Sequence, residues 1–319
     1  MATQNNRRKR QLILLLFPLT LALAWIGAGC SSARRPMTDS ERTRPGATGT
    51  IDEAYGPAGS TAPESPVYGP QAATIHPVTL VLGPGLARGF AHIGVLRVLA
   101  ENKIPIAAIY GMEMGSLLGA LYARDANINH LEWSLLGFND DLFRPSAGFI
   151  GRLLGKPNSS PLVDKIKAEF GNIDLSSMKI PLKIAIERPR ESISPAAVPA
   201  MVIEKGSVAK VLRVSMAAPE LLEPGTWDGA PAEAATAPSA EQQLCEDARE
   251  RYGSPVVLIE TSGSGIDPSS ADLVIRPNLE GIGPKDYAKR TDAEFRGKTA
   301  TLDRMAELHR AVNPESKSP

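Results

Sequence analysis

Two short apolar runs, each turning through glycines into a stretch with helical periodicity, set the pattern of this chain. Val78–Leu82 (VTLVL) is apolar except for Thr79, as expected of a strand covered on both faces. It leads through Gly83–Gly89 (GPGLARG) into Phe90–Glu101, whose apolar positions recur at helical spacing. Ala107–Tyr110 (AAIY) repeats the arrangement through Gly111–Gly115 (GMEMG) into a helix that opens with Ser116. Two such units so close in sequence predict neighbouring parallel strands. Both glycine turns then share one edge of the sheet, the edge at which open α/β folds bind ligands.

The alternation continues downstream. Ile128–Leu136 reads as a helix, Pro161–Phe170 as an amphipathic helix, Leu182–Glu187 and Met201–Ile203 as strands, and Ser207–Met216 as a further helix. Pro255–Glu260 and Leu273–Arg276 are predicted strands. Glu241–Tyr252 and Pro284–Val312 read as polar amphipathic helices, and the simplest reading of their charged runs is a solvated face. Phe138, Phe143, Phe149, Ile150, Leu153 and Leu154 line either a lid or acyl-binding surface, or else are scattered core contacts. The expected fold is an α/β three-layer sandwich with a mostly parallel central sheet.

The N-terminal region follows another pattern. Arg7–Arg10 (RRKR) precedes a mostly apolar run from Leu12 to Gly29, a basic segment and a hydrophobic segment in the order of an export signal. Gly27-Ala28-Gly29-Cys30 resembles a bacterial lipobox, in which Cys30 becomes the lipid-bearing N-terminus; the alternative is an uncleaved anchor. From Ser31 to His76 the chain is rich in Ser, Thr, Pro and Gly without periodicity, the composition of a flexible tether. The predicted organisation is a signal peptide over 1–30, a tether over 31–76, an α/β domain over 77–280 and a C-terminal helical segment and tail over 281–319. The predicted location is the cell envelope, lipid-anchored, on the periplasmic side of an outer membrane.

Composition narrows the chemistry. Lys+Arg and Asp+Glu both number 35, so nothing points to nucleic acid. With Cys30 lipidated, Cys245 has no partner for a disulfide. The four histidines, His76, His92, His130 and His309, match no metal spacing, and His92 reads as a packed residue. Gly83 and Gly85 after a strand make half a dinucleotide fingerprint, but the second strand ends in Gly111 where an acidic ribose ligand is needed. Neither a metal nor a cofactor is expected.

Leu80–Leu99, with its LVLGPGLARGFAHIGVLRVL, and Ile104–Ala123, with its IPIAAIYGMEMGSLLGALYA, together resemble the patatin-like phospholipase family. The likeness is close across Val78–Ala123 and looser to about Pro277. It implies an oxyanion-hole loop and a G-x-S-x-G elbow whose serine is activated by an aspartate. The loop falls on Gly85, Leu86, Arg88 and Gly89, with Pro84 and Leu86 where the family has glycines, so that a hole formed by the amides of Gly85 and Leu86 survives in part. At the elbow's nucleophile position stands Glu113. Ser215-Met216-Ala217-Ala218-Pro219 matches the S-x-x-x-P that precedes the aspartates, which makes Asp228 the candidate catalytic aspartate, although counting from Pro219 fits Asp228-Gly229 better to the structural pair and puts the catalytic place near Ala234-Ala235.

The resemblance implies a membrane lipid or acyl chain as the bound partner, with a protein partner as a further possibility. One hypothesis is a protein that binds without hydrolysing, in which Glu113 either fills the oxyanion hole or merely caps the following helix. The other is an active lipid acyl hydrolase with Glu113 or Ser116 as nucleophile.

Overall fold

The computed structural model describes residues 75–143, 161–189, 199–218 and 221–313. Cys30 and its signal segment, nearly all of the tether, Phe149, Ile150, Leu153, Leu154 and Pro219 lie outside the described residues.

Five strands form the parallel body of the sheet: β1 (Val78–Leu82), β2 (Ile106–Met112), β3 (Leu182–Glu187), β7 (Val256–Ile259) and β8 (Leu273–Ile275). Three antiparallel strands extend it beyond β3: β4 (Met201–Ile203), β5 (Gly225–Trp227) and β6 (Ala230–Ala234). The strand order is β5-β6-β3-β2-β1-β7-β8, with β4 also pairing β3. The β5–β6 hairpin is absent from the sequence reading because β5 is only three residues long and β6 is built from Ala, Pro and Glu, residues depleted in strands. Its turn, Asp228-Gly229, puts both residues at positive φ (49° and 75°), the conformation a two-residue hairpin turn requires.

Helices cover both faces, and the strands show why. Leu80 and Leu82 of β1 and Ile109 of β2 join one apolar cluster, while the alternate residues Val81, Ala108 and Tyr110 join a second on the opposite face. The first cluster packs against α1 (Ala91–Glu101), α2 (Met114–Asp125), α3 (Ile128–Leu136), α4 (Pro161–Phe170) and α5 (Val208–Ser215). The second is closed by Ala240, Leu244, Cys245 and Ala248 of α6 (Pro238–Tyr252). This is the three-layer α/β sandwich with a mostly parallel sheet. Burial pushes the Cys245 thiol up to about 12, so it is a packed apolar group and not a nucleophile.

The C-terminal helix breaks at Arg304 into α7 (Arg290–Asp303) and α8 (Met305–Val312). A Cβ built on Gly297 of α7 would lie 1.9 Å from the Ala91 carbonyl oxygen, and one on Gly94 of α1 would lie 2.0 Å from that of Glu294. The two helices therefore touch backbone to backbone, a fit that only glycine permits. Phe138 and Phe143 are core residues: both are buried, and Phe143 stacks on Tyr287 with ring centroids 4.6 Å apart.

Candidate functional site

Because β1 and β2 are parallel neighbours, with Leu82 paired to Gly111, the segments that follow them emerge side by side. After β1 the chain crosses Gly83, Pro84 and Gly85 into a short 3-10 turn, Leu86–Phe90, that leads to α1. After β2 it turns within one residue into α2, and that residue is Glu113 at φ 49°, ψ −117°. A side chain other than glycine is strained there by about 1 kcal/mol or more. Flanking glycines make the turn possible, since a Cβ on Gly111 would meet Ser116 Cα at 2.6 Å and one on Gly115 would meet the Leu82 carbonyl oxygen at 2.3 Å. The strained strand-to-helix elbow is thus retained with a carboxylate at its apex.

Glu113 makes no side-chain bond to the free amides of its own helix, so it is not a conventional cap. Its Oε2 reaches across to the neighbouring turn, where Gly85 N–H donates at 2.7 Å and Leu86 N–H at 2.6 Å. Both are short, as charge-assisted bonds are. Leu86 sits at φ 48°, accepting the left-handed conformation that would cost glycine nothing, and this aims its amide inward beside that of Gly85. Only 3% of Glu113 is exposed.

The structure brings Gly85, Leu86 and Glu113 together and uses Arg88 differently. The Arg88 amide donates to the Gly85 carbonyl at 2.9 Å, turned away from the carboxylate. Its guanidinium spans to the Ile282 and Ser262 carbonyls at 2.7 and 3.0 Å, fastening the glycine turn to two distant loops. Asp228 stands apart, exposed at the tip of the β5–β6 hairpin. Ala234 lies closer to the elbow in sheet register. It pairs with Ile186, one residue beyond the Ala185 that pairs with Met112, so a buried methyl occupies that strand end. Ser116 is fully buried inside α2, and its Oγ has no hydrogen-bond partner. His92 donates from Nε2 to the Gly83 carbonyl at 2.9 Å, and burial lowers its pKa to about 4 against the opposing pull of that bond. It is a neutral brace under the turn.

A second carboxylate group behind the glycine turn was not legible in the sequence. Glu241, in the first turn of α6, is fully buried, contrary to the solvated face expected of that helix. Its Oε1 has no hydrogen-bond partner and would lie 2.5 Å from a Cβ built on Gly83, while its Oε2 takes the Ser264 hydroxyl at 2.9 Å. Burial, and after it the Glu260 charge, raise its pKa to about 7, against the lowering effect of Ser264. Glu260 orders the loop after β7 by accepting from Ser262 Oγ, Gly263 N–H and Ser264 N–H. Thr261 Oγ1 donates to the Pro84 carbonyl at 2.8 Å. For Glu260, unlike Glu241, the sequence carries a signal, because Glu260-Thr261-Ser262-Gly263-Ser264-Gly265 is a third polar, glycine-bearing turn after a buried strand. Among the described residues no group of three or more His, Cys, Asp or Glu could hold a metal ion, and no helix is long and apolar enough to cross a membrane.

The family model described as patatin-like phospholipase matches residues 80–236. The chain is 61% identical over 51 residues to lysophospholipase NTE1 of Coccidioides immitis and 57% identical over 51 residues to that of Aspergillus fumigatus. Each match covers 16% of this chain and 3% of the relative, so the chain spans a small part of those proteins. Among solved structures it is similar to VipD from Legionella pneumophila, with a TM-score of 0.49, 12% identity, and 74% of this chain and 67% of that one covered. It is also similar to ExoU in its complex with SpcU from Pseudomonas aeruginosa, with a TM-score of 0.36, 13% identity, and 76% and 58% covered.

Proposed function

We propose, from the premise that this chain carries a patatin-like phospholipase domain over residues 80–236, that it is a membrane-tethered lipid-binding protein whose elbow does not hydrolyse esters. One observation carries the reading: the carboxylate of Glu113 is itself the anion bound by the Gly85 and Leu86 amides. In acyl transfer such donors must await the oxyanion of the tetrahedral intermediate, and their value lies in being preorganised and free for it. With a carboxylate already seated on them, a substrate carbonyl finds negative charge where its own must develop.

Nor does the site supply another route. Attack by a carboxylate on an ester would give an acyl anhydride, whose release needs a base to activate water. Ser116 is sealed within its helix, His92 is held neutral and buried beneath the turn, and the residues at the counted aspartate position are alanines. The fold's lipid-facing edge then serves to bind. Cys30, as the acylated residue, would hold the domain at the envelope membrane on the tether of residues 31–76.

The test pairs an active-site fluorophosphonate with a lysophospholipid turnover assay on purified protein. No adduct and no turnover are expected, while equilibrium binding of the same lysophospholipid persists. A stoichiometric adduct on any residue of the elbow would overturn the reading. Separately, Cys30→Ala should release the protein from the membrane fraction; retention there would refute acylation as the anchor.

A further inference from the structure

Away from the elbow, a groove of about 940 Å³ opens between α4, one side of α5 and the tip of the β5–β6 hairpin. Lys167, Lys205, Lys210 and Arg213 line it, with Trp227 along one side and Asp228 as its single acidic residue. In a chain whose formal net charge is zero, four cations against one anion is a local excess. Among the described residues, Lys167, Lys205 and Lys210 have no salt-bridge partner, whereas Glu204, beside Lys205, is already held by Lys183 and Arg251. Arg213 is half-buried, with Nη1 on the Glu223 carbonyl at 3.0 Å, and burial holds its guanidinium below the usual arginine range. The Glu223 charge opposes that burial, and a further anion in the groove would add to it.

Two further features belong to the same groove. The amino end of α5, at Gly206 and Ser207, also lines it, but that end is already served: the Ser207 hydroxyl accepts from the Lys210 N–H, and, after Ser176, the Gly206 backbone helps to hold the Asp174 carboxyl below its usual range, so the side-chain cations carry the groove's positive charge. Trp227 packs one part of its ring against the core and leaves the rest in the groove, the amphipathic placement that tryptophan takes at membrane interfaces.

We propose that this groove is a second lipid site, which seats the phosphate of an anionic phospholipid headgroup. The choice of phospholipid over free phosphate rests on the lipid-binding reading above; the groove's anion preference does not, and it is independent of Glu113. Clustered cations attract an anionic leaflet strongly enough for each to matter, and the attraction fades with salt.

The experiment is co-sedimentation of the full chain with vesicles of phosphatidylcholine alone and of phosphatidylcholine with phosphatidylglycerol in equal parts, at low and high salt. Any contribution from the N-terminal apolar segment is common to both vesicles, so the readout is the gain on adding phosphatidylglycerol. We expect the double variant Lys205→Glu/Lys210→Glu to reduce that gain by about tenfold or more, and Asp228→Asn, which removes the groove's own anion, to raise it. Binding to phosphatidylcholine should stay as in the parent, and an unchanged thermal unfolding midpoint shows that the variants are folded. An unchanged gain in the double variant would overturn the proposal. So would binding of soluble glycerol phosphate without any preference for anionic vesicles, which would assign the groove to a free phosphate. A parent that shows no gain and no fluorophosphonate adduct fails at this site alone, and one that shows the gain together with an adduct fails at the elbow alone.

Discussion

Glu113→Ala removes the carboxylate that the Gly85 and Leu86 amides share, and its cost can be worked from the bonds. Two main-chain donors at 2.7 and 2.6 Å meet one ionised oxygen in a residue only 3% exposed. A hydrogen bond to a charged group is worth about 1.5–3 kcal/mol, and a buried donor left unpaired costs a similar amount, so the variant should lose about 3–5 kcal/mol. Alanine keeps the strain of the elbow's positive φ, so that contribution cancels in the comparison. Glu113→Gln retains an amide oxygen for the same two donors but not the charge, and about 1–2 kcal/mol should go. Urea unfolding with linear extrapolation measures both, against a total stability of about 5–15 kcal/mol. A carboxylate buried without compensation would behave oppositely, its removal stabilising the fold. Stability in Glu113→Ala equal to or above that of the parent would therefore refute the idea that the amides hold this anion.

Other consequences follow from the surroundings of the turn. Glu241 has its pKa raised from 4.5 to about 7, so between those values the folded state binds a proton that the unfolded state has released, and stability falls as pH rises through that window. Glu241→Gln should abolish that decline and be more stable than the parent above pH 7 by up to about 3 kcal/mol, as read from urea midpoints at a series of pH values. Gly297→Ala places a methyl on the Ala91 carbonyl and should cost at least about 1–3 kcal/mol by forcing α7 from α1, seen as a lowered thermal midpoint. Gly229→Ala, with no atom within 4 Å of the added Cβ, should cost about 1 kcal/mol through backbone strain alone.

The parallel body of the fold was legible because its strands are buried on both faces and its turns are marked by glycine. β1, β3 and β4 have the bounds that their apolar patterns predict, and α3 and α4 likewise. The β5–β6 hairpin was not legible, since its arms contain too few strand formers for a period to show, although Asp228-Gly229 is a strong turn signal. Glu113 at the elbow could be read directly from the spacing of its glycines. What could not be read was where its carboxylate goes, because the choice between capping α2 and crossing to the Gly85 turn depends on how far β1 and β2 carry the two turns. The burial of Glu241 was hidden for a similar reason: α6 is rich in charged residues, and only its packing against the end of β1 takes that one carboxyl out of water.

The most direct test of the site is amide hydrogen exchange at Gly85 and Leu86, in the parent and in Glu113→Ala. If the Glu113 carboxylate holds both amides, they exchange slowly in the parent and far faster in the variant, while Val81 and Leu82 within β1 stay protected in both. Exchange at Gly85 and Leu86 as fast in the parent as in the variant would contradict the account, for those amides would then be free to receive a substrate's oxyanion.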